Sequence, residues 1–568
     1  MQARGADAAY VEECRSFIRN GVSIDMPKEP PVKKYKNSGS IKKNLDDAKL
    51  RIQEYIQIKA VEEVGPPKAG ESVHPLLMVK KPDRKPRICV DLARNLNDFV
   101  KKKKFKLQAI REAVLASKKG CWYGKMDLSN CFLSFPLSQG SSDKLRFSID
   151  GKHYKFTSVP FGLTSAPRVV SYLLDVVSAI MTDCGAMHIR YLDDFLFIAD
   201  SKRELEQAMV KAARILEKFG LCNNLKKLEG PSQRMEFLGI VLDSIAESLY
   251  LPEHKMDAMK ESLEKTLAMR APSLKHMRSL LGKFAHLASV LPAARPFTRA
   301  LIDHVYWRES GTGREGEAVK SRRGPRRMSG VLREDLKFWA QSLQDWNGSQ
   351  KWSSRDAPIV VASDASTSGF GWVVESAPAH VVALMPEGMR PGDAIVGIWS
   401  EDLETKQSVS DEIGWGEMYS PAAIVSKLGE ALRDSHIVFV LDNSGDTSIL
   451  NRRRTKDNRI AELVRYICKM SVKYNFAFTS VHRPGAVNCL PDVLSRKEEH
   501  KFELSVEQIS KAVDRVRSKS SKIANRAPPP EPFEYGQFFL RDPVSLAYSS
   551  VPVLYPSSVT LLHSTLDL

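Results

Sequence analysis

The run Ile189-Arg190-Tyr191-Leu192-Asp193-Asp194-Phe195-Leu196-Phe197-Ile198 sets two adjacent carboxylates between two short apolar stretches rich in β-formers. That pattern predicts a tight strand-turn-strand with Asp193 and Asp194 at its tip. Carboxylates fixed on a rigid turn are the oxygen donors that a hard divalent cation such as Mg²⁺ takes, an ion that usually shares its coordination with substrate phosphates. Turns favour Asp for their own reasons, so the pair by itself is equally an ordinary hairpin. Upstream, Lys125-Met126-Asp127-Leu128-Ser129-Asn130-Cys131-Phe132 ends a short apolar stretch on a third carboxylate, and Pro160-Phe161-Gly162-Leu163-Thr164-Ser165-Ala166-Pro167 lies between it and the paired acids.

A second set of acids follows in the region 358–496. Ile359 to Ser363 reads as an apolar strand delivering Asp364, which Gly369, Gly371 and Trp372 turn back into a second strand. Glu417 is expected to open an amphipathic helix whose buried face is Ala422, Ile424, Val425 and Leu428, with Glu412 as the competing acid. Ile437 to Leu441 delivers Asp442, and Asp492 starts a short helix after Pro484-Gly485-Ala486-Val487-Asn488. Pro491 beside it suits a helix start.

The elements that must carry these acids need a large chain. At 568 residues, 43% hydrophobic and 27% charged, this one can bury several cores and should form two to four domains. A net charge of +17 and a pI near 9.3 suit a partner with a phosphate backbone, and by charge alone an acidic membrane surface as well. No apolar run reaches the roughly 18 residues that span a bilayer, and the polar N-terminus lacks a secretory core, so an intracellular chain with no membrane partner is expected. The eight cysteines are scattered without metal-knuckle spacing and read as reduced thiols.

Helices are predicted over Ala8 to Asn20 and Leu45 to Glu63, with a basic, Pro-containing connector between them. Ser201-x-x-Glu204 is a capping box, and Leu205, Met209, Ala212 and Leu216 mark the core face of the helix after it. From Pro252 to Leu301 the pattern is helical and polar; Arg295 and Arg299 there are either phosphate contacts or a solvated face. Residues 308–330 are nearly free of apolar side chains and read as a flexible linker, its Ser-Arg-Arg-Gly-Pro-Arg-Arg core being either a targeting or nucleic-acid patch or plain solvated loop. After it a short helix ending near Trp346 is expected, and past Arg496 a charged helix to about Ile523, then a tail onto which no structure is forced.

The ordered strings around Asp127, the FGLTSAP stretch and Tyr-Leu-Asp-Asp closely resemble motifs A, B and C of reverse transcriptases. His74 to Asn97 is similar to their fingers segment, and Phe237-Leu238-Gly239 to the hairpin that grips the primer. DASTSGFG, LDNSGDTS and HRPGAVNCLPDVLSR resemble the ribonuclease H fold. Among retroelements the likeness leans to the DIRS-like group, with Ty3-like elements next.

The resemblance implies a multidomain chain of α/β and α+β class: a right-hand polymerase of fingers, palm and thumb, then a ribonuclease H-like α/β domain. Its expected boundaries are a helical lead-in over 1–70, fingers and palm over 71–250, thumb over 251–307, linker or connection over 308–357, ribonuclease H-like domain over 358–497, and charged helix with disordered tail over 498–568. The implied activity is RNA-directed DNA synthesis with cleavage of the RNA strand of RNA–DNA hybrids. Asp127, Asp193 and Asp194 would hold two Mg²⁺ ions, with Mn²⁺ able to substitute, and Asp364, Glu417, Asp442 and Asp492 two more. Lys81 and Arg87 match the basic positions that clamp the triphosphate, with Arg84 and Lys85 competing. Phe132 matches the aromatic beneath the sugar that excludes a 2′-hydroxyl; as a bare residue it reads as core. Phe161 and Gly162 would line the nucleotide site, where a glycine lets backbone approach the template. Lys227 would donate a proton to pyrophosphate, with Lys226 adjacent. Partners are then an RNA template, a DNA primer, hybrid duplex, dNTPs and other retroelement-encoded proteins, in cytoplasm or nucleus. No Asp-Ser/Thr-Gly protease motif, zinc knuckle or integrase-like His/Cys cluster accompanies them, so the chain reads as one open reading frame or a fragment of a polyprotein. The competing expectation is a domesticated or inactive copy that binds nucleic acid without catalysis.

Overall fold

Val11, Cys14 and Phe17 recur on one face, and the Asp7 side chain accepts from the Ala9 N–H, so helix α1 (Ala8–Asn20) forms as the spacing predicts. The computed structural model describes residues 7–81, 84–93, 95–310, 327–346, 348–351, 358–367, 369–386, 390–398, 413–485, 488–496 and 558–563. It divides into two units, residues 1–238 with 242–245 and residues 239–241 with 246–568.

In the first unit helix α2 (Leu45–Gln57) stops short of the predicted Glu63. Strand β1 (Val61–Val64) follows it, placing Glu62 and Glu63 opposite Lys155 and Tyr154. Cross-strand pairing overrides the helix preference of two glutamates once two valines can be buried by a neighbouring strand. Strands β2 (Leu76–Lys81) and β3 (Arg84–Val90) form an antiparallel ribbon. β1 joins β6 (Lys152–Phe156) and β5 (Arg146–Ile149) in a three-stranded sheet.

The sheet that matters for chemistry has four strands, in the order β7 (His188–Tyr191), β8 (Asp194–Ala199), β4 (Trp122–Asp127) and β9 (Glu229–Ser232). Phe195, Leu196 and Phe197 are fully buried in its centre. Helix α3 (Ala166–Asp183) packs on helix α4 (Lys202–Lys218), which rests on β4 and β8. The Ser201 hydroxyl accepts from the Glu204 N–H at 3.2 Å, and Leu205, Met209, Ala212 and Leu216 are all buried, as their spacing predicts.

The second unit begins with helices α5 (Glu253–Ala268), α6 (Leu274–Val290), α7 (Arg299–Ser310) and α8 (Gly330–Asp345). Arg299 is engaged by Asp303 at 2.9 Å. Helix α8 is the short helix that the sequence ends near Trp346: Leu332, Leu336, Trp339 and Leu343 are buried, with Trp339 edge-on to Phe284 and Phe297. Helical periodicity resumes there, so the segment is part of a packed bundle. Asp335 on α8 also pairs with Arg465, tying the bundle to the α/β part of the same unit.

That part is a six-stranded sheet in the order β14 (Ala477–His482), β13 (His436–Leu441), β10 (Ile359–Ala365), β11 (Gly369–Ser376), β12 (Asp393–Ile398) and β15 (Ser558–His563). β10 runs antiparallel to β11 and parallel to β13. Helices α9 (Ile413–Leu428), α10 (Ser444–Arg452), α11 (Asn458–Tyr474) and α12 (Cys489–Ser495) complete it. The expected structureless tail contains β15, paired parallel to β12 at the sheet edge. The predicted charged helix beyond Arg496 and the basic core of the predicted linker lie outside the described residues. No helix among the described residues is long and apolar enough to cross a membrane.

One buried ionisable group has a consequence for stability. His436 is buried with Nε2 3.0 Å from the Thr479 hydroxyl, and burial, then the Arg453 charge, lower its pKa to about 4. An unfolded histidine titrates near 6.5, so between these values the unfolded chain holds a proton that the folded chain lacks, and stability falls as pH falls. From pH 7 to pH 5 the full chain should lose about 2 kcal/mol through this group. His436→Asn should remove that part of the pH dependence in urea melts; identical pH losses in both proteins would discard the assignment.

Candidate active sites

Asp127 is the last residue of β4 and stands opposite Asp194, the first residue of β8. Asp193 precedes it in the turn, where Leu192 takes φ 54°. The Leu128 N–H donates to the Asp193 carbonyl at 3.2 Å, so strand pairing continues into the turn. Three carboxylates from two neighbouring strands thus share one sheet end. Burial, then the charges of Asp193 and Asp127, push Asp194 up to about 6, and burial also raises Asp193. Lys227 Nζ sits 2.7 Å from Asp127 Oδ2, and the Asn224 N–H donates to the Asp127 carbonyl at 2.8 Å. The lysine beside the acids is therefore Lys227 rather than Lys226.

Around this end lie the aromatic and basic residues singled out in the sequence. The Arg87 guanidinium lies 5.4 Å from the Phe161 ring centroid, and Phe161 is 5.3 Å from Phe132. Arg87 also stands near enough to Asp193 to act on its titration. Phe132 is half-buried and packed on the core, on a 3-10 turn Cys131–Ser134. Lys81 and Arg84 face each other across the β2–β3 ribbon, their side chains lying outside the described residues. Lys85 is engaged by Glu54 at 2.7 Å.

Gly162 has a reason of its own. Its φ is 112°, and a Cβ there would meet the Val90 carbonyl oxygen at 2.0 Å. The glycine is thus required by the fold before any template arrives. Asn97, at the end of the fingers-like segment, holds this loop: its amide donates to the Gly162 carbonyl and its oxygen accepts from the Thr164 N–H, each at 2.9 Å.

In the second unit, burial is the first cause that pushes Asp364 up to about 7, and Asp442, Asp492 and Glu417 add to it in that order. All four predicted acids are therefore brought together. Asp364 is on β10, and the buried Ser495 hydroxyl donates to its Oδ2 at 2.7 Å. Asp442 follows β13, its carbonyl 2.9 Å from His482 Nε2. Glu417 lies inside α9, which starts at Ile413, so it does not open the helix as predicted. Glu412 lies outside the described residues. Asp492 likewise follows the start of α12 at Cys489, and Arg496 holds it at 2.7 Å. Helix α12 can approach the sheet because Gly371 has no side chain: a Cβ there would meet Leu494 Cβ at 2.3 Å.

Two further residues join this site. Asn443 donates to Glu417 Oε2 at 2.6 Å while its own oxygen caps α10. Asp446, in the first turn of α10 and 4% exposed, lies against Glu417; burial and then that contact push Glu417 up to about 8. Its signal was the second acid of LDNSGDTS, four residues after Asp442. Among the described residues, no group of three or more His, Cys, Asp or Glu side chains is gathered closely enough to hold a metal ion by itself.

The first unit thus carries three acids at one end of a four-stranded sheet, and the second carries four around a mixed sheet. Residues 79–242 match the family model for reverse transcriptase (RNA-dependent DNA polymerase). That stretch holds the three acids of the first unit, and retrotransposon polyproteins are similar to this chain in sequence. The Tf2-3 polyprotein of Schizosaccharomyces pombe is 24% identical over 229 residues, covering 40% of this chain and 16% of that one. The chain thus spans 16% of the length of the curated relatives it matches. Among solved structures, the foamy viral protease-reverse transcriptase dRH in complex with dsDNA has 18% identity and a TM-score of 0.47, covering 81% of this chain and 73% of that one. The foamy viral enzyme in complex with RNA/DNA hybrid has 14% identity and a TM-score of 0.44, covering 84% and 80%.

Gly162→Ala combines a disfavoured φ with a backbone clash and should cost on the order of 3 kcal/mol of stability. Urea denaturation checks this, and a loss well under about 1 kcal/mol would show that the loop can relax away from Val90.

Proposed function

We propose that this chain is an RNA-directed DNA polymerase that copies RNA into DNA, and that its second acid set cleaves the RNA strand of RNA–DNA hybrids. The observation that carries the reading is the convergence of Asp127, Asp193 and Asp194 on one sheet end with Lys227, Arg87 and Phe161 around them. Mg²⁺ fits both acid sets: the donors are carboxylate oxygens, and the burial and mutual repulsion that raise Asp194 and Asp364 are relieved by a cation. An open arrangement suits that ion, which keeps waters and shares substrate phosphates instead of filling a protein cage. Bound Mg²⁺ would supply Lewis-acid activation of the attacking oxygen and stabilisation of the leaving one.

The chain's own groups then have separate tasks. Asp127, Asp193 and Asp194 hold the cations, and Lys227, already hydrogen-bonded to Asp127, is placed to give a proton to the departing pyrophosphate. Arg87 offers a planar guanidinium to the triphosphate. In the second site Asp364, Glu417, Asp442 and Asp492 are the cation ligands, oriented by Ser495, Asn443 and Arg496. Hybrid would be recognised through duplex shape and 2′-hydroxyl contacts.

Asp193→Asn should abolish primer extension on an RNA template and leave hybrid cleavage largely intact, and Asp442→Asn should do the reverse. Extension by Asp193→Asn within a few-fold of wild type, or undiminished cleavage by Asp442→Asn, removes the corresponding assignment. Phe132→Val tests sugar selection: a ring against the ribose should make the ratio of deoxynucleotide to ribonucleotide kcat/KM fall by roughly ten-fold or more when trimmed. A folded Phe132→Val enzyme with an unchanged ratio assigns the ring to the core alone.

A further inference from the structure

The turn that carries the palm acids is held from beneath by a buried arginine that the polymerase chemistry does not use. Arg190, on β7 and 5% exposed, donates to the Leu192 carbonyl at 3.2 Å. Leu192 is the residue in left-handed conformation, so its carbonyl direction decides where Asp193 and Asp194 point. The same guanidinium donates to the Ser171 carbonyl at 3.1 Å and forms an ion pair with Asp175, both on α3. A buried arginine without a carboxylate would be costly, so Asp175 fixes the guanidinium and the guanidinium fixes the turn.

Asp175 is held in turn from the N-terminal helix. The Tyr10 hydroxyl donates to Asp175 Oδ2 at 2.6 Å, leaving the other oxygen for Arg190. Burial, then the Asp175 carboxylate, raise the Tyr10 phenol, which keeps it a donor. Helix α1 is fastened there by further contacts: Glu13 takes a two-point pair from Arg168 at 2.9 and 3.0 Å, and the Tyr10 and Tyr172 rings meet edge-on at 4.4 Å. Every link is a directed contact between named atoms, and the chain runs from an N-terminal helix to the catalytic turn.

We propose that Tyr10, Asp175 and Arg190 form a positioning relay that sets the Asp193–Asp194 turn, and that helix α1 is thereby part of the support of the polymerase site. The inference rests on the polymerase reading above. None of the three residues touches substrate; they act on rate by fixing the geometry of the acids, where small misplacements are costly.

Primer extension by the full chain on an RNA template tests it, with wild type, Tyr10→Phe, Asp175→Asn and the double variant in parallel. Arg15→Ala, an exposed change on the same helix, serves as control. Asp175→Asn should lower kcat about ten-fold or more, and Tyr10→Phe about five-fold, with KM for the dNTP within about two-fold. The double variant should be no worse than Asp175→Asn, because both changes act through one carboxylate. Tyr10→Phe removes a single oxygen, so folding is expected to survive; hydrogen exchange at residues 191–194 should nevertheless quicken about five-fold, the factor of one lost hydrogen bond. Unchanged kcat in both folded variants, additive losses, or unchanged exchange at the turn overturns the relay. A wild-type chain without extension fails the polymerase reading instead, and the exchange experiment still decides whether Tyr10 holds the turn.

Discussion

Like charges crowded on a rigid turn are the constraint on which the rest of this structure depends. Asp127, Asp193 and Asp194 lie on adjoining strand ends, where burial and mutual repulsion oppose ionisation. A flexible loop would let them spread, so the fold must hold them. It does so with a fully buried aromatic strand behind Asp194, backbone pairing that continues from Leu128 to Asp193, and the Lys227 ammonium against Asp127. On the proposed function, a divalent cation would relieve that repulsion, so the crowding that costs stability would supply affinity.

The second unit meets the same constraint with different parts. Its acids come from two parallel strands and two helices; neutral donors stand beside two of them, Ser495 on Asp364 and Asn443 on Glu417, and the Arg496 guanidinium holds Asp492. The two neutral donors restrict carboxylate rotation without cancelling charge, whereas Arg496 on Asp492 and Lys227 on Asp127 also offset it. Asp446 adds a fifth acid to the crowding. Close approach of α12 is permitted by the bare backbone at Gly371, which makes the position of Asp492 a consequence of packing as much as of sequence.

Helices that sequence reading left at the margins turn out to support these centres. Helix α1, a lead-in by its position, ends up on α3 through Tyr10 and Glu13. Helix α8, read from sequence only as a short helix before Trp346, buries Trp339 and joins its bundle to the α/β layer through Asp335 and Arg465. Both carry a regular apolar face, and such faces seldom stay unpartnered.

Sequence alone determined the acids and the short elements bearing them, because a strand ending on Asp, a two-residue acidic turn and a capping box are local patterns spanning a few residues. It therefore marked the seven carboxylates that the fold gathers into two groups, the β7–β8 turn, α1 and the core face of α4. Tertiary structure decided what depends on residues far apart in the chain. It ended α2 at Gln57 by offering β1 a partner strand, set Lys227 rather than Lys226 on Asp127, and gave Gly162 its reason in Val90. It also drew Asp446 to Glu417 and Tyr10 to Asp175, which are 165 residues apart. Such contacts have no local signature: a hydrogen bond between distant residues is chosen by how the layers pack, and only the folded chain fixes that choice.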